Sequence, residues 1–272
     1  KNLSQETTEL EKKITLFHTK VVGDLLQGNI DFLGFHGQTI FHNADEKVSK
    51  QLGDGKLLSQ LTSKNVIYNF RENDLRNGGQ GAPLTPIFHK LLVNQNKINL
   101  PVTILNIGGI ANITSIQKGN KIFSSDIGPG NCLIDNWVRS NSDKNYDKDG
   151  LFAKAGKINK IILDQSLENF YENAISKKKS YDIKDFDISF VKGLSLEDGA
   201  ATLTEFTAEI FSKKTMDKKI YICGGGRKNS FLLERIKRKI NSEIKLIDDL
   251  GMNGDFIESQ AFAYLAIRSY LK

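Results

Sequence analysis

Asp126 is followed by Ile127-Gly128-Pro129-Gly130-Asn131, and this short string concentrates the most usable chemistry in the sequence. An acid, a glycine loop and then an apolar segment from Cys132 that reads as a helix suit phosphoryl transfer. Glycines let backbone N–H groups approach an anion, and a helix start adds partial positive charge. Before the string, Thr103–Asn106, Gly108-Gly109 and the run through Ile110, Ile113 and Ile116 read as strand, turn and strand. A further short strand, Ile122–Ser125, puts Asp126 at its carboxyl end, where open α/β sheets place their chemistry. Taken alone, the same string also fits a plain strand-to-helix connector with a surface acid.

Three other places carry candidate groups. Gly224-Gly225-Gly226-Arg227-Lys228-Asn229 follows a buried-type strand, Lys219–Cys223. Its glycines permit flat approach by a base or ribose, and it lacks the spacing of a Rossmann dinucleotide site. His36 and Gln38 stand late in a predicted strand, Asp31–Phe41, as a sugar-binding cluster or as a polar turn in which His36 bonds the backbone. Arg71 and Asp74 follow a predicted strand, Val66–Phe70, ahead of Gly78-Gly79-Gln80-Gly81. That pattern reads as a domain junction over a cleft or as a linker with a surface ion pair. Asn145, Asp147 and Asp149 have a calcium-loop rhythm, but Gly156 stands where the closing Glu is required, which excludes it.

The elements that must position these groups follow from composition and periodicity. At 272 residues the chain is long enough for about two domains. It is 39% hydrophobic and 26% charged, ordinary for a soluble globular chain. The net charge of +6 comes from scattered lysines, with Lys177–Lys179 the longest run, so no nucleic-acid surface is expected. Cys132 and Cys223 have no metal or CxxC spacing and read as buried thiols in a reducing cytoplasm. No apolar run approaches membrane-spanning length, and no signal peptide is visible. Leu3–Leu26 reads as a helix, capped by Ser4, with Leu10, Ile14, Phe17, Val21 and Leu25 in helical rhythm. Thr85–Val93, Leu196–Phe211 and Asp255–Tyr270 are the other clear helices, and Glu258 lies in the first turn of the last. Lys177–Asp182 reads as a solvated loop or as a contact to a sugar.

Seven strings, in order, carry a family resemblance: GFHGQTIFHNAD, NFRENDLRNGGQGAPL, NIGGIANIT, DIGPGNCLIDNW, DKDGLFAKAGKI, ICGGGRKNSFLLERI and ESQAFAYLAIR. From about Gly34 to Arg268 the chain resembles the anhydro-N-acetylmuramic acid kinases of the sugar kinase, Hsp70 and actin superfamily. The resemblance implies an α/β, two-domain ribonuclease H-like (actin-like ATPase) fold. The expected domains are residues 1–80 with 258–272, and residues 81–257. It implies ATP and Mg²⁺ as cofactors and phosphorylation of the amino sugar at O6 as water opens its 1,6-anhydro bridge. Asp126 becomes the expected general base, and Gly128, Gly130 and the capping Asn131 the phosphate site. Gly224, Gly225, Gly226 and Asn229 become the adenosine site. His36, Gln38, Arg71, Asp74, Asn112 and Glu258 become sugar or metal contacts, with no side-chain metal ligand assigned. A cytoplasmic enzyme of peptidoglycan recycling follows, with a homodimer at an open strand edge as a possible assembly. Two departures stand out: Ile127 occupies a position expected to be Thr, and the residues given contain no Gly-Thr-Ser-x-Asp-Gly phosphate loop. The first domain therefore reads as N-terminally truncated, and the 272-residue chain is expected to be inactive. A non-catalytic binding homologue and a kinase for another sugar are the alternatives.

Overall fold

The chain crosses between two units twice, at Phe88/His89 and at Ile257/Glu258. The structure, a computed structural model, describes residues 7–25, 28–172, 180–215, 217 and 219–271.

The first unit, residues 1–88 with 258–272, starts with helix α1, Thr8–Leu25. The expected start at Leu3 and the cap at Ser4 lie outside the described residues. The apolar rhythm does not mark the helix's buried face: Leu10, Phe17, Val21 and Leu25 are exposed, and Thr15 is buried. Polar groups do the attaching instead. Thr15 Oγ1 accepts the Asp54 N–H at 2.9 Å, and Glu11 Oε1 accepts the Gly53 N–H at 3.2 Å.

The strand expected over Asp31–Phe41 is two strands, β1, Phe32–Gly34, and β2, Gln38–Asn43. Gly37 separates them with φ +71, a left-handed conformation that glycine adopts without strain. β2 pairs antiparallel with β3, Val48–Leu52. Helix α2, Gly55–Thr62, is capped by the Asp54 carboxylate. Next, β4, Asn65–Ile67, pairs in parallel with β1. Here a second expectation fails, because Asn69, at φ 58, turns the chain into helix α3, Phe70–Arg76. Arg71 and Asp74 are helical and do not stand at a strand end.

Helix α4, Pro86–Gln95, spans the first crossing. The first boundary falls later than residue 80 for a visible reason. Asp74 Oδ2 accepts the Gly81 N–H at 2.7 Å and Arg71 donates to Gly81 O at 2.9 Å, tying this segment to α3.

The second unit is built on one sheet: β5, Val102–Ile107; β6, Ile110–Ile116; β7, Ile122–Pro129; β8, Lys219–Cys223; and β9, Glu243–Leu246. The order is β7-β6-β5-β8-β9, with β6 antiparallel to both neighbours and β8 and β9 parallel to β5. In this order three consecutive strands form an antiparallel meander and two later strands extend it in parallel, which is the ribonuclease H-like arrangement. β7 continues through Asp126 to Pro129, so the acid lies within the strand and not at its end.

Helices α5, Cys132–Asn141; α6, Leu151–Ala155; α7, Lys160–Glu172; α8, Leu196–Lys214; and α9, Ser230–Lys239, complete this unit. α8 runs through its core, with Leu203, Ile210 and Phe211 fully buried. Burying each such side chain contributes about 1.5–3 kcal/mol. Gly199 on α8 leaves room for the Trp137 ring, whose Nε1–H donates to Leu196 O at 2.9 Å.

Helix α10, Ile257–Tyr270, begins at the second crossing. It packs on β1, where a Cβ on Gly34 would meet Phe262 O at 2.9 Å. The Phe262 ring lies 5.2 Å from Phe70, and Tyr270 lies 4.2 Å from Phe32.

Candidate active site

Asp126 sits at a β-bulge. It pairs with Asn112 on β6, the next pair is Gly128 with Ala111, and Ile127 is the extra residue, its side chain buried in the core. Bulges re-aim neighbouring side chains, and here the register presents Asp126 beside Asn112. Asp126 Oδ2 accepts the Tyr181 N–H at 2.8 Å. Burial pushes the carboxyl above its usual range, while the Tyr181 N–H and the Ser180 side chain draw it back. Sequence reading missed both partners, because Tyr181 arrives from 55 residues downstream, with Ser180 beside it, in a segment with no motif of its own.

The glycine turn after Asp126 closes on the Gly108-Gly109 turn. Gly130 N–H donates to Gly109 O at 2.9 Å, Asn131 N–H to Gly108 O at 2.8 Å, and Cys132 N–H to Gly109 O at 3.1 Å. A Cβ on Gly130 would clash with Gly108 O, and one on Gly128 would press on Ile210. The backbone N–H groups of Gly130 and Asn131 are thus committed inside the protein, and these glycines allow two turns to close on each other. Asn131 holds the N-cap position of α5 without a side-chain cap bond; its Nδ2 donates to Ile107 O at 3.4 Å. The end of α5 still offers its dipole to an anion.

The triple glycine lies next to Asn131. Gly226 has no room for a Cβ against Ile107, and Gly224, at φ 79, has none against Asn106. Gly225 alone faces space, the nearest atom to its added Cβ being Asn131 Nδ2 at 4.0 Å. Asn229 is an N-cap and not a free ligand: its Oδ1 accepts the Leu232 N–H at 2.9 Å. Arg227, unassigned from the sequence, is buried and locks this turn in place. Its Nε donates to Asp248 at 2.8 Å and its Nη1 to Asp255 at 2.7 Å and to Gly224 O at 3.1 Å. Charge-assisted bonds of this kind are the stronger ones.

The first unit gathers a separate cluster. Arg71 Nε donates to His36 Nε2 at 3.1 Å, which makes that nitrogen the acceptor and places the imidazole proton on Nδ1, 2.9 Å from Gly37 O. Burial and the Arg71 charge push His36 down to about 4, so the ring is neutral. Glu258 exerts an opposite charge on Arg71. Asp74 serves as a staple for the Gly81 turn. Gln38 is exposed at the start of β2, with its Nε2 3.4 Å from Thr39 O, and does not join this cluster.

Among the described residues no group of three or more His, Cys, Asp or Glu side chains could hold a metal ion. None of their helices is long and apolar enough to cross a membrane.

Comparison with known proteins decides the family. The model of the anhydro-N-acetylmuramic acid kinase family matches residues 2–271. The chain belongs to the anhydro-N-acetylmuramic acid kinase family. An anhydro-N-acetylmuramic acid kinase of Pelagibacter ubique is 56% identical over 99% of this chain and 76% of its own length. One of Zymomonas mobilis is 39% identical over 96% of this chain and 74% of its own. Among solved structures, ethanolamine utilization protein EutJ of Carboxydothermus hydrogenoformans is similar at 13% identity and a TM-score of 0.45, over 93% of this chain and 74% of its own. Within the anhydro-N-acetylmuramic acid kinase family, this chain is an α/β kinase whose acid, glycine turns and Arg71 cluster are as described above.

Proposed function

We propose that the site around Asp126 phosphorylates anhydro-N-acetylmuramic acid at O6 with ATP and Mg²⁺ while water opens the 1,6-anhydro bridge. The observation that carries this reading is a half-buried carboxylate, raised above its usual range, on the strand that runs into α5, whose N-cap Asn131 lies against the open face of Gly225. Asp126 takes a proton from water as the oxygen attacks the anomeric carbon. The bond from that carbon to O6 breaks, and O6 is left to receive the phosphoryl group. A base raised toward neutral pH suits that task. ATP fits here because Gly225 leaves room for flat approach and α5 adds positive potential near Gly128, Gly130 and Asn131. Mg²⁺ fits as an ion held chiefly by phosphates and water, as is usual for this hard cation. The bound nucleotide supplies the phosphoryl group, and this chain's residues orient it and hold the proton. His36, Arg71, Glu258 and Asn112 are assigned to the sugar.

The test is ADP release on adding anhydro-N-acetylmuramic acid. ADP release that requires the sugar is expected, since positioning of the two substrates and charge stabilisation drive phosphoryl transfer. Sugar binding without ADP release favours a binding protein.

A further inference from the structure

We infer that the segment Ser180–Asp185 is a clamp on the base: it holds the Asp126 carboxylate through the Tyr181 N–H to Oδ2 and fixes how that carboxylate faces the water it deprotonates. This rests on the reading of Asp126 as base, and it makes Ser180 and Tyr181 positioning residues.

The segment is anchored at both ends. The Tyr181 ring is buried 5.3 Å from Phe186, which stacks 6.4 Å from Phe170, and Phe170 packs 5.9 Å from Phe206 of α8. A capping box closes the turn, with Asp182 accepting the Lys184 N–H at 3.1 Å and Asp185 accepting the Asp182 N–H at 2.9 Å. On its other side the segment reaches the glycine turns. A Cβ on Gly109, whose carbonyl takes the Gly130 and Cys132 N–H groups, would lie 3.5 Å from Ile183 Cδ1. One short stretch therefore touches both the acid and the turn beside it. A main-chain N–H on the carboxylate fixes its orientation and favours its charged form.

Among the described residues, the charged and titratable surroundings of Asp126 are few. Across the ladder Asn112 and Thr114 are neutral, and on β7 so are Ser124 and Ser125. The Tyr181 hydroxyl is raised by burial and by the Asp126 and Asp185 charges, so it is protonated at neutral pH. On α8, which packs on β7, Glu205 is paired with Arg235 and Lys239, and Glu209 with Lys239.

The experiment reads the Tyr181 amide by ¹⁵N–¹H NMR across pH. The amide proton is expected to follow the titration of Asp126, to lose that dependence in Asp126→Asn, and to keep it in Tyr181→Phe, which retains the N–H. Ser180→Ala is expected to move the titration up by roughly half to one pH unit, because a bond to the carboxylate is gone. The acid limb of kcat/KM should move with it, with KM for ATP unchanged and Ser180→Thr restoring both. An amide blind to Asp126, or a titration unmoved in Ser180→Ala, overturns the clamp. If the amide and Ser180→Ala behave as expected but no ADP is released, the kinase reading fails and the clamp stands.

Discussion

The two clusters of candidate groups are made from different materials. In the second unit the site is mostly backbone: Gly128, Gly130, Gly224 and Gly226 have no room for a Cβ, and Asp126 is the acid set among them. In the first unit it is mostly side chain, with Arg71 joining His36 to Gly81 and Asp74 joining the same turn. A backbone site tolerates almost no change of residue and a single acid carries its chemistry. A side-chain network loses its members by degrees. Mutation of the two clusters should therefore differ in kind.

The largest effect is expected at Asp126. Asp126→Asn should lower kcat by about 10²–10⁴-fold with sugar affinity kept, the usual worth of a positioned base. Steady-state kinetics with calorimetric sugar binding checks it, and a near-normal kcat would remove Asp126 from the mechanism.

Neighbouring glycines then separate packing from binding. Gly226→Ala must push on Ile107 and should cost about 1–3 kcal/mol in denaturant unfolding, as overpacking does. Gly225→Ala meets open space, so its stability should stay within about 0.5 kcal/mol while KM for ATP rises roughly tenfold. If both variants lose stability equally, the open face of Gly225 is not where a nucleotide lies.

Arg71→Ala tests the side-chain cluster. It removes the donor to Gly81 O and should cost on the order of 1–2 kcal/mol, with weaker sugar binding. Removing a positive charge beside His36 relieves one of the two causes that hold its imidazole near 4. The His36 titration, followed by NMR, should therefore move upward, though not fully to the ordinary value because burial remains. A His36 midpoint unmoved by the substitution would break the proposed coupling.

Gln38→Ala should do least. Its side chain is exposed and outside the Arg71 network, so stability and sugar KM should each change by less than about 0.5 kcal/mol. A loss of sugar affinity as large as that of Arg71→Ala would return Gln38 to the site.

What was legible in the sequence follows the same division. β-rich runs broken by Gly108-Gly109 and Lys118-Gly119-Asn120 specify the meander, since turn residues and strand periodicity are local signals. The string from Asp126 and the triple glycine were legible because a close backbone approach requires glycine wherever it occurs. The functions of individual glycines were not. Only the fold shows that Gly130 faces Gly108 O and that Gly225 faces space. Asn229 could have been recognised as a cap from its place before Ser230. Tyr181 on Asp126 and Arg227 on Asp248 could not, because long-range pairs of common residues leave no pattern. α1 teaches the same limit in reverse: its rhythm of Leu10, Phe17, Val21 and Leu25 gave the helix, but Thr15 is what it buries.

Cys132 opens α5 and Cys223 ends β8, and both are buried. Burial pushes the Cys132 thiol up to about 11, leaving almost no thiolate at neutral pH to react. The native protein is therefore a quiet background for site-specific labelling. A cysteine placed at Ile161, which is 82% exposed, would take a maleimide dye or nitroxide ahead of either native thiol. With a second label in the other unit, spectroscopic rulers could follow separation between the units as ligands are added, without first removing a cysteine from α5.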